Sequence, residues 1–207
     1  AIEIAEQRGL VVVPEDAMDS SVDAICVGEG EAVFRSFLEH FPNHEPLHQL
    51  PNFWFRDEDG VILRNPLRPL LSNQELNDQP KPLYGHREFI YRMDKGFVAL
   101  TEKDYRSDNG LSYNTLWTRG CPFKCTYCSN TKFLKNDQGA GRIRFPSVDY
   151  ILDEVKGILK QKPYIQVIGF HDDCFLELDI DTLRTFARRW VEEIEQRFGR
   201  EVAFLVE

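Results

Sequence analysis

The sequence lacks the features that mark membrane, secreted and nucleic-acid-binding proteins. Its longest apolar runs are strand-sized, far short of the roughly 18 residues that a membrane-spanning helix needs. The N-terminal segment AIEIAEQRGL has no basic stretch followed by an apolar core, so no secretory signal is predicted. The formal net charge is -9, and no run of Lys and Arg forms a patch for phosphate backbones. These absences predict a cytoplasmic protein without a membrane span or general nucleic-acid binding.

A disulfide framework is also missing. The chain has five cysteines in 207 residues, and an odd number without a secretory signal favours a reducing compartment. Cys121, Cys125 and Cys128 cluster, whereas Cys26 and Cys174 each stand alone on an apolar run. We therefore expect the two isolated cysteines to be small buried side chains.

Three parts of the chain differ in their pattern. Residues 1–42 end in VDAICVGEGE and an amphipathic EAVFRSFLEHF, which together predict a strand, a glycine turn and a helix. Residues 43–110 hold most of the prolines, a hairpin pattern in FWFRDEDGVIL, and SNQELNDQPKPLYGH, which is expected to be extended because its prolines disfavour a helix. Residues 111–207 alternate between strand and helix patterns.

This alternation predicts an α/β fold with three parallel strands and two crossover helices. The middle strand, IQVIGF, is fully apolar, as is typical of a parallel sheet covered on both faces. The expected elements are a strand at 114–118, a helix beginning at Ser147, a strand at 165–170, a helix capped by Asp181 and ended by Gly199, and a strand at 202–206.

The stretch LWTRGCPFKCTYCSN places three thiols in a loop after the first of these strands. Ligand sites lie at that end of parallel strands, both in barrels and in open sheets. A structural zinc would need a fourth ligand, for which Cys174, His171 and His86 are candidates. A ferredoxin-type cluster also takes four cysteines, usually with two-residue gaps. Gaps of three and two residues favour a third case, a four-iron cluster with three cysteine ligands and one open iron.

The segment TRGCPFKCTYCSN resembles the motif of the radical S-adenosylmethionine (SAM) superfamily. The resemblance implies that Cys121, Cys125 and Cys128 bind a four-iron, four-sulfur cluster whose fourth iron is chelated by SAM. It implies reductive cleavage of SAM to methionine and a 5′-deoxyadenosyl radical that attacks a small-molecule substrate. An electron donor such as flavodoxin or ferredoxin is implied too, and Tyr127 is expected near the adenine.

The stretch IQVIGFHDDCF is similar to a strand of this superfamily that ends in Phe-x-Asp-Asp-x-Phe. The resemblance implies that Asp172 or Asp173 accepts a hydrogen bond from the amino group of SAM, as a carboxylate can. The alternative is that one of the two aspartates caps the following loop.

The order of segments resembles the cobalamin-binding subfamily, through VDAICVGEGEAVF and WFRDEDGVILRNPLRPL. The resemblance implies the end of a Rossmann-like cobalamin domain at 1–42, a connector with a β-hairpin at 43–110, and the first half of a radical SAM partial (β/α) barrel at 111–207. Gly28 and Gly30 are either cobalamin neighbours or parts of a tight turn. The subfamily's Asp-x-His-x-x-Gly motif is absent from these residues, so cobalamin stays open.

The expected activity is methylation, cyclisation or rearrangement driven by radical SAM chemistry. One alternative is a radical SAM enzyme without cobalamin, similar to the methylthiotransferases. Another is a non-catalytic iron–sulfur or zinc protein. Half a barrel has an open sheet edge, so we expect the chain to be a fragment that by itself binds SAM poorly and is inactive.

Overall fold

A computed structural model describes most of the chain and divides it into two compact units. The first unit comprises Ala1–Ser72 with Pro122–Arg142, and the second comprises Asn73–Cys121 with Ile143–Glu207. The residues that the structure describes are 24–41, 49–56, 59, 61–83, 88–128 and 141–206.

The first unit contains a three-stranded antiparallel sheet and one long helix. Strand β1 (Ala24–Cys26) leads into helix α1 (Glu31–His40), and strands β2 (Phe53–Arg56) and β3 (Ile62–Arg64) follow. The strand order is β1-β2-β3, with both pairs antiparallel. The hairpin predicted from FWFRDEDGVIL is therefore confirmed, although residues 57, 58 and 60 of its turn lie outside the described residues.

Polar contacts around Asn52 hold the turn between β1 and α1. Gly28 has a φ of +84°, which L residues rarely adopt, and a Cβ there would lie 3.2 Å from the side-chain nitrogen of Asn52. The Asn52 side chain donates to the carbonyl of Val27 at 2.7 Å and accepts from the backbone N–H of Arg68 at 2.7 Å. The requirement for glycine at position 28 is thus explained by the turn itself.

The apolar core formed by the described residues of the first unit is small. Its buried side chains are Val33, Leu50 and Phe53. On α1, Val33 is buried, whereas Phe34 and Leu38 are more than half exposed. Only part of the apolar face of this helix is therefore buried.

The second unit begins with a short helix, α2 (Asn73–Asn77). The prediction that residues 72–86 are extended was wrong for these five positions, because Pro80 lies beyond the last helical residue and removes none of its hydrogen bonds. The side-chain oxygen of Asn77 accepts from the backbone N–H and the hydroxyl of Ser147 at 2.8 and 2.9 Å. The helix is thereby tied to the start of a later helix.

A second hairpin and a third helix follow, and neither was predicted. Strands β4 (Phe89–Arg92) and β5 (Gly96–Ala99) pair antiparallel, and helix α3 (Glu102–Asn109) comes next. A capping box begins α3: the Thr101 hydroxyl accepts from the backbone N–H of Asp104 at 3.3 Å, and the Asp104 carboxylate accepts from the backbone N–H of Thr101 at 3.0 Å. The pattern Thr-x-x-Asp is a recognisable helix start in the sequence.

The rest of the second unit is a parallel sheet with crossover helices. Strand β6 (Ser112–Thr115), helix α4 (Val148–Gln161), strand β7 (Val167–Phe170), helix α5 (Ile180–Trp190) and strand β8 (Ala203–Val206) follow one another. The strand order is β6-β7-β8, with both pairs parallel. The predicted α/β class, with three parallel strands and two crossover helices, is confirmed.

The ends of α5 differ in part from the prediction. The helix is capped by Asp179, whose carboxylate accepts from the backbone N–H of Thr182 at 2.9 Å. The predicted cap, Asp181, was therefore wrong by two residues. After α5 come a π-helical turn (Val191–Glu195) and a short helix, α6 (Gln196–Phe198), and this helical segment ends at Gly199 with φ +63°, as predicted.

Helices α4 and α5 cover one face of the parallel sheet and enclose the main core. On the opposite face Leu205 is 63% exposed. The expectation of a sheet covered on both faces is therefore not met within the part of the chain that the structure describes. The core side chains are Tyr113, Trp117, Ile151, Leu152, Val155, Ile158, Leu159, Ile165, Ile168, Phe170, Phe175, Leu178, Phe186, Trp190, Ile194 and Val202.

Candidate metal and cofactor site

The segment between β6 and the cysteine loop is anchored in the core. Trp117 is buried, and its indole N–H donates to the carbonyl of Pro146 at 2.8 Å. Arg119 and Arg144 form a backbone bridge, with N–H to carbonyl distances of 2.8 and 2.9 Å. Gly120 then adopts a φ of +92°, a conformation that favours glycine. The chain therefore reaches Cys121 from a fixed direction.

The three loop cysteines are reduced and half-buried. None of Cys121, Cys125 and Cys128 forms a disulfide, and the backbone N–H of Cys128 donates to the carbonyl of Cys125 at 3.2 Å. Thiolate sets of this kind suit iron–sulfur clusters and zinc. Among the described residues, no three His, Cys, Asp or Glu side chains lie close enough together to hold one metal ion. The fit to a cluster therefore rests on the chemistry of the donors, not on a preformed geometry.

Asp172 ties the end of β7 to the end of β6. Its carboxylate is 3% exposed and accepts from the backbone N–H of Trp117 at 3.0 and 3.2 Å and from that of Thr118. Burial raises the pKa of Asp172, while the hydrogen bonds from Thr118 and Trp117 act in the opposite direction. The carboxylate therefore holds the segment before Cys121 and not the loop that follows Asp172, which was the alternative predicted from the sequence.

The other predicted SAM contacts lie at the surface. Asp173, the next residue after Asp172, is exposed, and the Tyr127 side chain is 91% exposed. Both are accessible to a ligand. Their assignment as SAM contacts stays a prediction.

The two isolated cysteines behave differently. Cys26 is exposed, so the expectation that it is buried was wrong, because β1 is the edge strand of a small sheet. Cys174 is buried, as expected, at 7% exposure. Its sulfur lies 3.1 Å from the sulfur of Cys121. Burial, followed by the neighbouring Cys121 sulfur, raises the pKa of the Cys174 thiol to about 12.

Of the three candidates for a fourth metal ligand, Cys174 is the one placed against a loop cysteine. His171 is exposed, one residue before Asp172. His86 lies outside the described residues. Cys174 was one of the three candidates named from the sequence, and the structure places its sulfur beside that of Cys121.

A buried carboxylate on α4 accepts hydrogen bonds from two side chains of β6, and it was not predicted. Glu154 of α4 accepts from the hydroxyl of Tyr113 at 2.9 Å and from that of Thr115 at 2.6 Å. It is buried among the apolar residues of its helix face. The sequence signal is a single charged residue within the apolar stripe of α4.

On the face opposite the helices, polar side chains lie over Gly169. A Cβ at this position would be 2.6 Å from the side-chain oxygen of Asn114 and 3.4 Å from Nε2 of His171. Glycine therefore permits a close approach of these side chains to the backbone of β7. Polar groups thus gather on the open face of the sheet.

The fold and the donors define a class: a parallel α/β protein with a thiol-rich ligand loop after its first parallel strand. Residues 115–204 match the family model described as the Radical SAM superfamily. The resemblance noted in the sequence is therefore confirmed for residues 115–204, which include the cysteine loop.

Two curated proteins are similar over most of the chain. The cytidylyl-2-hydroxyethylphosphonate methyltransferase of Streptomyces wedmorensis is 29% identical over 196 residues, which are 84% of this chain and 34% of that protein. An uncharacterized methyltransferase of Pyrococcus horikoshii is 30% identical over 155 residues, which are 74% of this chain and 29% of that protein. The chain therefore spans about a third of the length of these relatives.

Solved structures show the same fold. The radical SAM methyltransferase TsrM of Kitasatospora setae superposes with a TM-score of 0.56 at 16% identity, covering 82% of this chain and 29% of that chain. The cobalamin-dependent radical SAM enzyme OxsB superposes with a TM-score of 0.57 at 20% identity, covering 99% of this chain and 27% of that chain. Within the described residues, no helix is long and apolar enough to cross a membrane.

Proposed function

We propose that the complete protein is a cobalamin-dependent radical SAM enzyme and that this chain supplies its cluster-binding segment. The observation that carries the proposal is the set of three half-buried cysteines, none in a disulfide and spaced by three and two residues, within the segment matched by the family model. Both curated relatives are named as methyltransferases, which favours methylation. A similarity of 22% identity over 187 residues to a magnesium-protoporphyrin ester cyclase of Rubrivivax gelatinosus supports cyclisation as the other outcome.

Cys121, Cys125 and Cys128 would hold a four-iron, four-sulfur cluster through their sulfurs. The cluster, when bound, supplies the single electron that cleaves SAM to methionine and a 5′-deoxyadenosyl radical. Asp173 is the better candidate to accept from the amino group of SAM, because its side chain is exposed whereas Asp172 is only 3% exposed. Asp172 would then act by positioning the segment before Cys121, and Tyr127 would lie near the adenine.

The domain assignment is also a proposal. Residues 1–42 would end a Rossmann-like cobalamin domain, 43–110 would connect it, and 111–207 would form the first half of a radical SAM barrel. The β1–turn–α1 step, the β2–β3 hairpin and the three parallel strands support this order. The boundary between the compact units, at residue 72, falls inside the proposed connector.

Cobalamin is proposed for the complete protein on the basis of its structural neighbours. TsrM was solved with cobalamin and an iron–sulfur cluster, and OxsB with aqua-cobalamin and SAM. The 207 residues contain no Asp-x-His-x-x-Gly motif, so they supply no such axial ligand. A small-molecule substrate, an electron donor such as flavodoxin or ferredoxin, and a cytoplasmic location complete the proposal.

The test is anaerobic reconstitution of the complete protein with iron and sulfide, followed by electron paramagnetic resonance of the reduced protein with and without SAM. We expect about four iron and four sulfide per chain and a signal that SAM alters, as an open iron requires. Cys125→Ala should abolish the signal, and the exposed Cys26→Ala should leave it unchanged. Zinc without a cluster, or a cluster whose signal ignores SAM, would contradict the proposal.

One observation favours a second candidate, a non-catalytic protein with a four-cysteine metal site. The Cys174 sulfur contacts that of Cys121, as a fourth ligand would. In that case Cys174→Ala would lower iron or zinc content as far as Cys125→Ala. The radical SAM proposal instead expects Cys174→Ala to retain the cluster and its response to SAM.

A further inference from the structure

We propose that Cys121 and Cys174 form a reversible disulfide when no cluster is bound, so that an oxidant temporarily withdraws a cluster ligand. The two sulfurs are 3.1 Å apart, and both thiols are free. They come from the segments that follow two neighbouring parallel strands, β6 and β7. The regulatory consequence rests on the proposed role of Cys121 as a ligand, whereas the disulfide itself does not.

The separation is small enough to be closed by the side chains. A disulfide bond is about 2.05 Å long, so the sulfurs must approach by about 1 Å, which rotation about the Cα–Cβ bonds can supply. The backbone on both sides is already fixed. Asp172, near Cys174, accepts from the backbone of Trp117 and Thr118, near Cys121. These bonds hold the two segments together before any disulfide forms.

The two thiols differ in access, which sets the order of the reaction. Cys121 is half-buried and Cys174 is 7% exposed, so a dissolved oxidant meets Cys121 first. With hydrogen peroxide as the oxidant, the Cys121 sulfur attacks one peroxide oxygen, the O–O bond breaks, and a sulfenic acid and one water result. The Cys174 sulfur then attacks the sulfenic sulfur, the S–O bond breaks and a second water leaves. The two thiols together lose two electrons and two protons, and both protons end in water.

The disulfide would protect Cys121. A sulfenic acid without a neighbouring thiol proceeds to sulfinic and sulfonic acids, which are not recovered by thiols. A disulfide is returned to two thiols by a dithiol reductant, which is itself oxidised to a disulfide. Oxidised Cys121 cannot bind iron, so cluster assembly would wait for reducing conditions. A bound cluster would occupy the Cys121 sulfur and prevent the disulfide.

The first measurement is peptide mapping of the cluster-free protein after treatment with hydrogen peroxide. Remaining thiols are alkylated in denaturant, and the digest is analysed by mass spectrometry without reduction. We expect a peptide linking Cys121 to Cys174 as the main disulfide product. In Cys174→Ser, whose side chain is nearly the same size, we expect Cys121 as sulfinic or sulfonic acid. Cys26→Ser, an exposed cysteine of the first unit, is the matched control and should leave the link unchanged.

A main disulfide between Cys125 and Cys128, or Cys174 recovered as an alkylated thiol, would overturn the proposal. Because the mapping uses the unaltered protein, this result does not depend on the folding of any variant.

The second measurement is iron uptake on anaerobic reconstitution of the same samples. The peroxide-treated protein should take up no more iron than Cys121→Ala, and dithiothreitol should restore the full amount. In peroxide-treated Cys174→Ser, dithiothreitol should restore little of the iron uptake. If the link forms but the reduced protein takes up no iron, the cluster proposal fails and the disulfide stands. If the reduced protein takes up iron but no link forms, the disulfide proposal fails and the cluster stands.

Discussion

The two compact units are stabilised in different ways. In the second unit a parallel sheet and two crossover helices enclose one contiguous core, in which Ile151, Leu152, Ile168 and Phe170 are completely buried. Among the described residues of the first unit only a few apolar side chains are buried, and Phe34 of α1 is more than half exposed. The cysteine loop begins from the second unit. The larger core of this unit provides a rigid base for a ligand site.

Polar contacts replace apolar burial in the first unit. The Glu29 carboxylate accepts from the backbone N–H of Leu71 at 2.8 Å, and the Asn65 side chain donates to the carbonyl of Leu50 at 2.7 Å. Asn52 adds two more contacts of this kind. Each links segments far apart in sequence. These contacts are directional, so this unit should be more sensitive to single polar substitutions than to the loss of one apolar side chain.

The largest effect is expected from Phe186→Ala in the second unit. Phe186 is buried, with its ring centroid 5.0 Å from that of Trp117 and 5.5 Å from that of Trp190. Removing the ring leaves a cavity in a close-packed core and should lower the free energy of unfolding by about 3–5 kcal/mol. Urea unfolding measures this loss. Leu176→Ala, at a 67% exposed position, is the control and should change stability by less than about 0.5 kcal/mol. Similar small losses in both variants would mean that the aromatic core does not dominate.

A smaller effect, confined to the first unit, is expected from Asn52→Ala. The variant loses both side-chain hydrogen bonds of Asn52 and puts alanine at a φ of +65°, so we expect a loss of about 2–3 kcal/mol. Asn52→Gly loses the same bonds but accepts the positive φ, and should cost about 1 kcal/mol less. Amide hydrogen exchange should report faster opening around β1 and β2, with β6 and β7 unchanged. Faster exchange throughout both units would contradict a local role for Asn52.

The same contrast explains what the sequence could predict about the fold. In the second unit, long apolar patterns with periods of strand and helix predicted the class, the three parallel strands and both crossover helices, with errors of up to three residues at the ends. In the first part of the chain the elements are short. Helix α2, at the start of the second unit, is also short, and the nearby Pro80 obscured its weak pattern. The hairpin β2–β3 could be predicted because its turn residues are typical of a hairpin.

The part of the candidate site that could be predicted is the part that depends on the spacing of cysteines in the sequence. Three cysteines with gaps of three and two residues identify the loop, and the family model agrees. The contact between Cys121 and Cys174 was not predictable, because it depends on the pairing of β6 with β7 and joins residues 53 positions apart. The same holds for Asp172, whose hydrogen bonds to the Trp117 and Thr118 backbone form only when the two strand ends meet. Sequence spacing reveals local ligand sets, and tertiary pairing decides their neighbours.

The smallest effect should come from the ionic network on the outside of the second unit. The Glu193 carboxylate accepts from Nε of Arg189 at 2.6 Å and from Nζ of Lys156 at 2.9 Å. Hydrogen bonds from Arg189 and then Lys156 lower the pKa of Glu193 below its ordinary value of 4.5. Since the unfolded chain binds the proton more readily, the network contributes stability above about pH 4.5 and loses it as the pH falls through the lowered folded value.

Glu193→Gln should therefore cost about 0.5–1 kcal/mol near neutral pH, with the cost shrinking as the pH falls. The measurement is the free energy of unfolding of both proteins from neutral pH down through the acid range. Glu192→Gln is the matched control. Glu192 is more exposed than Glu193, and its Oε1 lies 3.6 Å from Nη1 of the exposed Arg188. Its substitution should therefore lower the free energy of unfolding by less. A Glu193→Gln cost that persists at acid pH would point to lost packing in the π-helical turn instead of lost charge. If apolar burial is the main source of stability in this unit, Glu193→Gln must lower the free energy of unfolding by much less than Phe186→Ala does.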